Sequence, residues 1–480
     1  MRFNSYSYLI ALGFAVAIFW ALPPRLRRWF ALTLSILFYA SWSPLFVLAP
    51  AALCLGVFVA GVKIAARNPR ERTWFWTGLA FALGFLIFFR YQVLWVPALQ
   101  YLASSFRSAP GITLFRLSVP LGISFYTFET ISYLIDIRQR RIQPTRFTDL
   151  LLFVMFWPHL VAGPIVRFRE LIPQFECKKQ FDISFLLGGL DRLIFGLIQK
   201  HLIADPLGRW VDEGFSTQIL SANTTLDNWA LAIAFGLQIY FDFSSYTNMA
   251  IGAAKLLGIQ LPENFNFPYH AMNPVDFWKR WHMTLSRWIR DYLFFPLNVR
   301  FRGAPLLIYA SLIGVMGLVG LWHGAGWGFL AWGLLHGCFL AAYRAYETLQ
   351  TRFSPSPETS KLIGLLWRGG TLVAVMAAWV PFRASSMTQS LDMLRSMFFR
   401  FALRVTLPIN FYLVVLLVAG FTMVEPYVRQ AFTALDLRAV HHTRLLFAQR
   451  YFLRPMLYAL GLLLFLAFDE RNTQFIYFQF

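Results

Sequence analysis

Apolar residues gather into long runs along this chain, near 6–22, 29–42, 45–62, 74–96, 117–136, 184–199, 229–254, 305–322, 326–345, 362–380, 409–424 and 452–468. Each approaches the ~20 residues an α-helix needs to cross a hydrocarbon core. The pattern predicts an all-α integral membrane protein with about 11–13 transmembrane helices, joined by re-entrant and interfacial helices. Residues 148–165 are also apolar, but proline and charge interrupt them, so they read as lying in or on the bilayer without crossing it. No run of polar sequence is long enough for a separate soluble domain, and no internal repeat is visible. A single membrane domain over 1–480 is expected, with its motif-bearing core at about 117–345 and a tail at 469–480.

Composition agrees with this reading: 58% of residues are hydrophobic and only 14% charged, against about 25% charged in soluble domains. The net charge of +20 is carried by arginines between apolar runs, not by one basic face. That points to positive-inside topology and anionic lipid headgroups as partners, and away from nucleic acid. Basic clusters follow the first, third and fifth runs (Arg25, Arg27, Arg28; Lys63, Arg67, Arg70, Arg72; Arg138, Arg140, Arg141, Arg146). Alternate loops are therefore cytoplasmic, with both termini extracytoplasmic, although Arg395, Arg400 and Arg404 lie in a loop expected outside. Residues 8–22 lack a basic n-region and cleavage site, and read as the first span rather than a signal peptide. The three cysteines, Cys54, Cys177 and Cys338, form no CxxC motif. A disulfide framework and a cysteine-based zinc site are excluded, and no metal or bound cofactor is expected.

The stretch "DFWKRWHMTLSRWIRDYLFFP", 276–296, changes the picture. Wound as one helix, it places Trp278, Trp281, Leu285, Trp288, Ile289 and Tyr292 on one arc and Lys279, Arg280, Arg287, Arg290 and Asp291 on the other. Its single histidine, His282, falls on the apolar arc. The reading is an interfacial helix seated by its tryptophans that turns His282 inward from the cytoplasmic side, while its basic face meets headgroups or a phosphorylated donor.

The usual soluble-enzyme signatures HExxH, GxSxG and Walker A are missing, and the glycines of "GAGWG" (324–328) fit close helix packing better than a phosphate loop. The segment "GLVGLWHGAGWGFLAWGLLHG", 317–337, contains only two ionisable groups, His323 and His336. An ionisable group within a bilayer is costly and functional by default. Gly320, Gly324 and Gly326 beside His323 allow a close approach, which favours a catalytic His323; packing is favoured for His336. Asp242, in the middle of a span, is either a structural ion-pair partner or an active-site carboxylate. His159 lies between Pro158 and Pro164, which break the helix, so its backbone should line a cavity. His282 and His323 projecting into one locally thinned pore would supply a desolvated, neutral general base. Such a base suggests transfer of a group to a hydroxyl between donors on opposite sides of the membrane.

Together "RWHMTLSRWIRDYLFFPL", "GLWHGAGWGFLAWGLLHG", "QIYFDFSSYTNMAIG", "PLGISFYTFETISYLIDI" and "PHLVAGPI" resemble the membrane-bound O-acyltransferase (MBOAT) family. The likeness is to its bacterial branch of alginate O-acetyltransferases and teichoic-acid D-alanyl transfer proteins, with the matching blocks at about 120–340 and a further one in the terminal "FIYFQF". The resemblance implies a ring of transmembrane helices around a funnel and tunnel. It places the family's near-invariant histidine on His323 and its second characteristic histidine on His282. Asp242 of the family's acidic block is retained, whereas Ser245 replaces a glycine and Asn248 an aspartate, which puts a role for the second acidic position in doubt.

The function this implies is passage of an acyl group, in the first instance acetyl from acetyl-CoA, across the bacterial cytoplasmic (inner) membrane. The acceptor would be an extracellular polysaccharide such as alginate or cellulose. By resemblance, an extracytoplasmic transferase of the SGNH-hydrolase-like type and a polysaccharide biosynthesis complex are the expected partners. D-alanyl carrier protein is the alternative donor, and teichoic acid, peptidoglycan, lipid or protein are alternative acceptors. A polysaccharide transporter or flippase without chemistry would instead show paired repeats, which are not visible. The tail "DERNTQFIYFQF" carries one phenol, Tyr477. It is either part of an aromatic anchor at the bilayer interface or a relay that takes the acyl group as a phenyl ester.

Overall fold

The computed structural model describes residues 3–67, 69–105, 118–216, 224–353, 357–441, 452–468 and 475–476. Among them the chain is all helical, with no strand. Every one of the twelve apolar runs is a helix over most of its length. Among the described residues five helical stretches are long and apolar enough to cross a membrane: Leu45–Ala65, Glu71–Arg90, Pro305–His323, Lys361–Arg383 and Ile409–Ala431; Tyr6–Ala21 and Arg454–Ala467 are shorter apolar helices. The protein is thus a multi-pass membrane protein. Its chain forms two compact units, one of residues 1–193 and 249–262, the other of 194–248 and 263–480.

In the first unit, Leu48–Ala65 packs against Glu71–Arg90 and Ile123–Arg138. Leu53, Val57, Ala60, Ala82, Leu134 and Ile137 form the shared core. The basic loops are pinned by short-range electrostatics: Arg140 meets Glu71 at 2.7 Å, Arg141 meets Asp136 at 3.2 Å, and Arg28 pairs with Asp149. The interrupted run 148–165 is a helix only as far as Met155. Pro158 and Pro164 prevent its continuation, yet residues 152–166 are all buried. Their polar backbone is met within the protein, by turn bonds such as Gly163 N–H to the His159 carbonyl (2.9 Å) and by Ser35, which accepts the Trp157 N–H at 3.2 Å. His159 itself is buried beside the equally buried Glu129, Nδ1 to Oε1 at 3.1 Å.

The second unit is built around the hairpin of Pro305–His323 and Trp327–Phe353. A Cβ at Gly320 would collide with the Phe329 carbonyl oxygen, and one at Gly333 with that of Met316. Glycine at both positions lets the two backbones touch, the close packing read from the sequence. Against Trp327–Phe353 lie Pro357–Arg383 and the short Pro274–Arg280 helix. Gln199–Ala204 and Arg290–Phe294 are wound as π-helix. Such widened turns concentrate at functional positions.

Candidate active site

The 276–296 stretch is not one helix, and this corrects the continuous wheel read from its sequence. Pro274–Arg280, capped by Asn273 through the Asp276 N–H (2.8 Å), stops at Trp281, and Met283–Ile289 begins anew before the π-wound turn. Between them His282 sits in the left-handed region at φ 41°, ψ 54°. That conformation costs a residue with a side chain about 1–3 kcal/mol and persists where surroundings enforce it. Here Asn264 does so. Its carbonyl oxygen accepts the Met283 N–H at 2.8 Å, and its side-chain Oδ1 accepts from Thr284 N–H (3.2 Å) and Thr284 Oγ1 (2.9 Å).

The same Oδ1 lies 3.1 Å from His282 Nδ1. A backbone N–H can only donate, so the atom facing Thr284 N–H is the amide oxygen. An amide oxygen only accepts, so His282 Nδ1 carries the proton and Nε2 the lone pair. His282 lies outside the candidate spans, and burial together with the nearby His323 holds its imidazole well below the ordinary 6.5. It is therefore neutral at pH 7, with its tautomer fixed by Asn264. Sequence reasoning missed Asn264, which sits in "ENFNFP" 18 residues upstream.

Although the helix is broken, the inward arc survives: Trp278, Trp281, Leu285, Trp288, Ile289 and Tyr292 are all buried, while Lys279, Arg287 and Arg290 are exposed. The tryptophans do not seat the segment at the bilayer interface, as expected from the sequence. They pack inside the protein, Trp281 against Phe265 (5.1 Å between ring centres), Trp379 (5.1 Å) and Phe277 (5.7 Å, nearly parallel).

His323 ends its helix, 4% exposed, enclosed by Trp322 (4.8 Å), Trp332 (5.2 Å, perpendicular) and Phe382 (5.2 Å). His282 approaches the same enclosure. Phe243 lies across its ring at 4.7 Å and Trp322 at 6.4 Å, so Trp322 contacts both imidazoles. His336 stands on the far side of Trp332 (5.0 Å), stacked on Phe277 (5.9 Å) and edge-on to Trp278 (5.2 Å). The structure thus brings His282, His323 and His336 into one aromatic enclosure within the second unit, whereas His159 pairs with Glu129 in the first. A pocket of about 360 Å³ opens beside the helix break at His282, walled by Trp278, Met283, Ile289, Val315 and Met316 and bordered by Lys279, Arg287, Arg290, Arg344 and Glu347. Arg290 is held by Asp291 at 2.8 Å; Lys279, Arg287 and Arg344 have no ion-pair partner among the described residues.

Asp242 lies on the 32-residue Thr225–Leu256 helix, one residue before the Phe243 that lies across His282. Its Oδ1 meets the Lys200 ammonium at 2.6 Å, and Lys200 also meets Asp205 at 2.8 Å. Of the two readings left open by the sequence, the ion pair is the one observed. Asn248, six residues on, donates to Gln199 Oε1 at 2.7 Å, so the departure from aspartate leaves that position engaged as an amide pair. Lys200 was not anticipated, since a lysine closing an apolar run reads as a loop charge. Tyr477 lies outside the described residues.

The several long apolar helices define a polytopic membrane protein, with three histidines enclosed by aromatic rings in its second unit. Residues 9–368 match the profile of MBOAT, the membrane-bound O-acyltransferase family. The chain is 38% identical over 83% of its length to a "probable alginate O-acetylase" of Azotobacter vinelandii, covering 78% of that protein. It is 34% identical over 80% of its length to a peptidoglycan O-acetyltransferase of Helicobacter pylori, covering 76%. With a teichoic acid D-alanyltransferase of Bacillus subtilis it shares 28% identity over 50% of its length and 62% of the relative. The chain belongs to the MBOAT family and is an acyltransferase that moves acyl groups across the membrane to an extracellular acceptor.

Proposed function

We propose that the protein takes acetyl groups from cytoplasmic acetyl-CoA and delivers them for O-acetylation of an extracellular polysaccharide of the alginate type. The observation that carries this is the pair of buried imidazoles sharing Trp322, one of them held neutral with its lone pair on Nε2. The alginate acceptor is favoured by similarity to the A. vinelandii protein over 83% of the chain, against 50% for the D-alanyltransferase.

In this reading His323 removes the proton from the acceptor hydroxyl. The oxygen attacks the thioester carbonyl, the C–S bond breaks, and the thiolate leaves with the proton, which His282 Nε2 shuttles to it from His323. MBOAT members use acyl-CoA donors, and the pocket beside His282 suits one: apolar walls for the pantetheine arm and unpaired cations for its phosphates. D-alanyl carrier protein would present the same phosphopantetheine. The immediate acceptor is Tyr477. A phenyl ester keeps a good leaving group, so the acetyl remains reactive toward the hydroxyl of the next carrier. That carrier is an extracytoplasmic transferase of the SGNH-hydrolase-like type, part of a polysaccharide biosynthesis complex. The side of the membrane assigned to each end rests on the alternation of basic loops.

His323→Ala tests the reading. Polymer-bound acetate in cells falls to background while the protein remains in the membrane at its normal level; normal acetate content removes His323 from the chemistry.

A further inference from the structure

The buried ions around Asp242 have a contact that acyl transfer at the histidines does not require. Asp242 Oδ2 accepts the backbone N–H of Ile476 at 2.7 Å. The preceding ring, Phe475, lies over the Lys200 ammonium at 4.5 Å and meets Tyr246 edge-on at 5.1 Å. Phe475 and Ile476 are 2% and 4% exposed, so these two tail residues are core residues of the second unit.

We propose that Lys200 and Asp242 form a binding site for the chain's own C-terminal segment and act as positioning residues for Tyr477, the residue that follows. The chemistry is that of peptide recognition. One carboxylate oxygen reads a main-chain N–H, and one ammonium reads the face of an aromatic ring. Asp242 divides its two oxygens between Lys200 and the tail, and among the described residues the Ile476 amide is the donor that meets the second. Asp205 also holds the ammonium, at 2.8 Å. The π-winding of Gln199–Ala204 is what lets it do so: residues five apart on an α-helix point about 140° apart, whereas Lys200 and Asp205 here meet. The site explains why an ion pair is kept deep in this unit, where a pair of apolar residues would serve stability as well.

The inference deepens the relay reading of Tyr477 but is tested apart from it. Hydrogen exchange on the full chain in detergent should find the Ile476 amide protected. In Asp242→Ala its exchange should rise about 10- to 100-fold, the worth of a hydrogen bond to a charged group. Peptides of the Pro305–His323 hairpin should stay unchanged, which separates release of the tail from unfolding. If Asp242→Ala does not fold, Ile476→Pro deletes the donor from the tail alone, and Ile476→Ala keeps it. Trimming of the C-terminus by chymotrypsin, read by intact mass, should then be at least about 10-fold faster for Ile476→Pro than for Ile476→Ala or wild type. An unprotected Ile476 amide in the wild type, or equal trimming of all three proteins, overturns the proposal. Tyr477→Phe leaves docking intact whatever it does to acetyl transfer, so failure of the relay and failure of the site are told apart.

Discussion

Exchanging Asn264 for aspartate asks whether the neutral state of His282 matters. Asn264 Oδ1 holds Thr284 and fixes the His282 tautomer. A carboxylate keeps the acceptor and caps the following helix about as well as the amide. What it adds is a charge close to Nδ1, now 3.1 Å from the amide oxygen. An opposite charge at that range favours the imidazolium and raises its pKa by about 1–3 units. In the wild type, burial and His323 hold His282 well below 6.5, so its protonation lies on the acid side of the working range. The exchange moves the acid limb of the pH–rate profile upward by the same amount. On titration from pH 9 down to pH 4, activity should be lost about 1–3 pH units earlier than in the wild type and be retained at the alkaline end. The assay is acetyl transfer by the full chain in membranes across this range, with thermal stability measured alongside. Asn264→Leu serves as the contrast: it removes the acceptor for three donors, should cost about 2–4 kcal/mol of stability, and lowers activity at every pH. Superimposable profiles for wild type and Asn264→Asp would refute the idea that a neutral His282 is required.

Three further outcomes follow. Arg287→Ala and Arg344→Ala at the pocket rim should each raise KM for the CoA donor several-fold with a smaller effect on kcat, while His282→Ala chiefly lowers kcat; greater damage to kcat from the arginine changes would make surface binding the main task of this segment. Tyr477→Phe keeps the ring and removes the hydroxyl, so polymer acetylation should fall to background, and wild-type acetylation would leave the tail an anchor. Gly320→Ala forces a methyl into the Phe329 carbonyl and should destabilise the hairpin by about 1–3 kcal/mol, read as a lower melting temperature in detergent; an unchanged melting point would mean the two backbones separate easily.

Much of the helical layout was legible because a bilayer-sized apolar run has few alternatives to helix, and all twelve runs proved helical. The inward face of 276–296 was legible for the same reason, since burial of its large aromatics dominates. The break at His282 was not. A wheel assumes continuous winding, and the interruption is imposed by Asn264, a residue in another part of the chain. The tryptophans misled because an indole suits a membrane interface and a protein core equally well; only the neighbours, here Phe265, Phe277 and Trp379, decide. Lys200 was illegible because its partner lies 42 residues away on another helix. A lone basic residue closing an apolar run looks the same whether it faces water or a buried carboxylate.

The π-wound turn at Gln199–Ala204 also changes what length means for this segment. A π turn holds one residue more than an α turn, so removing one residue from 202–204 would let the stretch wind as ordinary α-helix. The flanking helices would keep nearly their original phase, because the residue lost is the one the wider turn had absorbed. Lys200 and Asp205 would then stand four apart on one helix face, so the ion cluster should survive. The same deletion from the ordinary helix on either side would turn everything beyond it by about 100°. The widened turn is thus the place where the gene can lose a residue without moving the lysine off its partners.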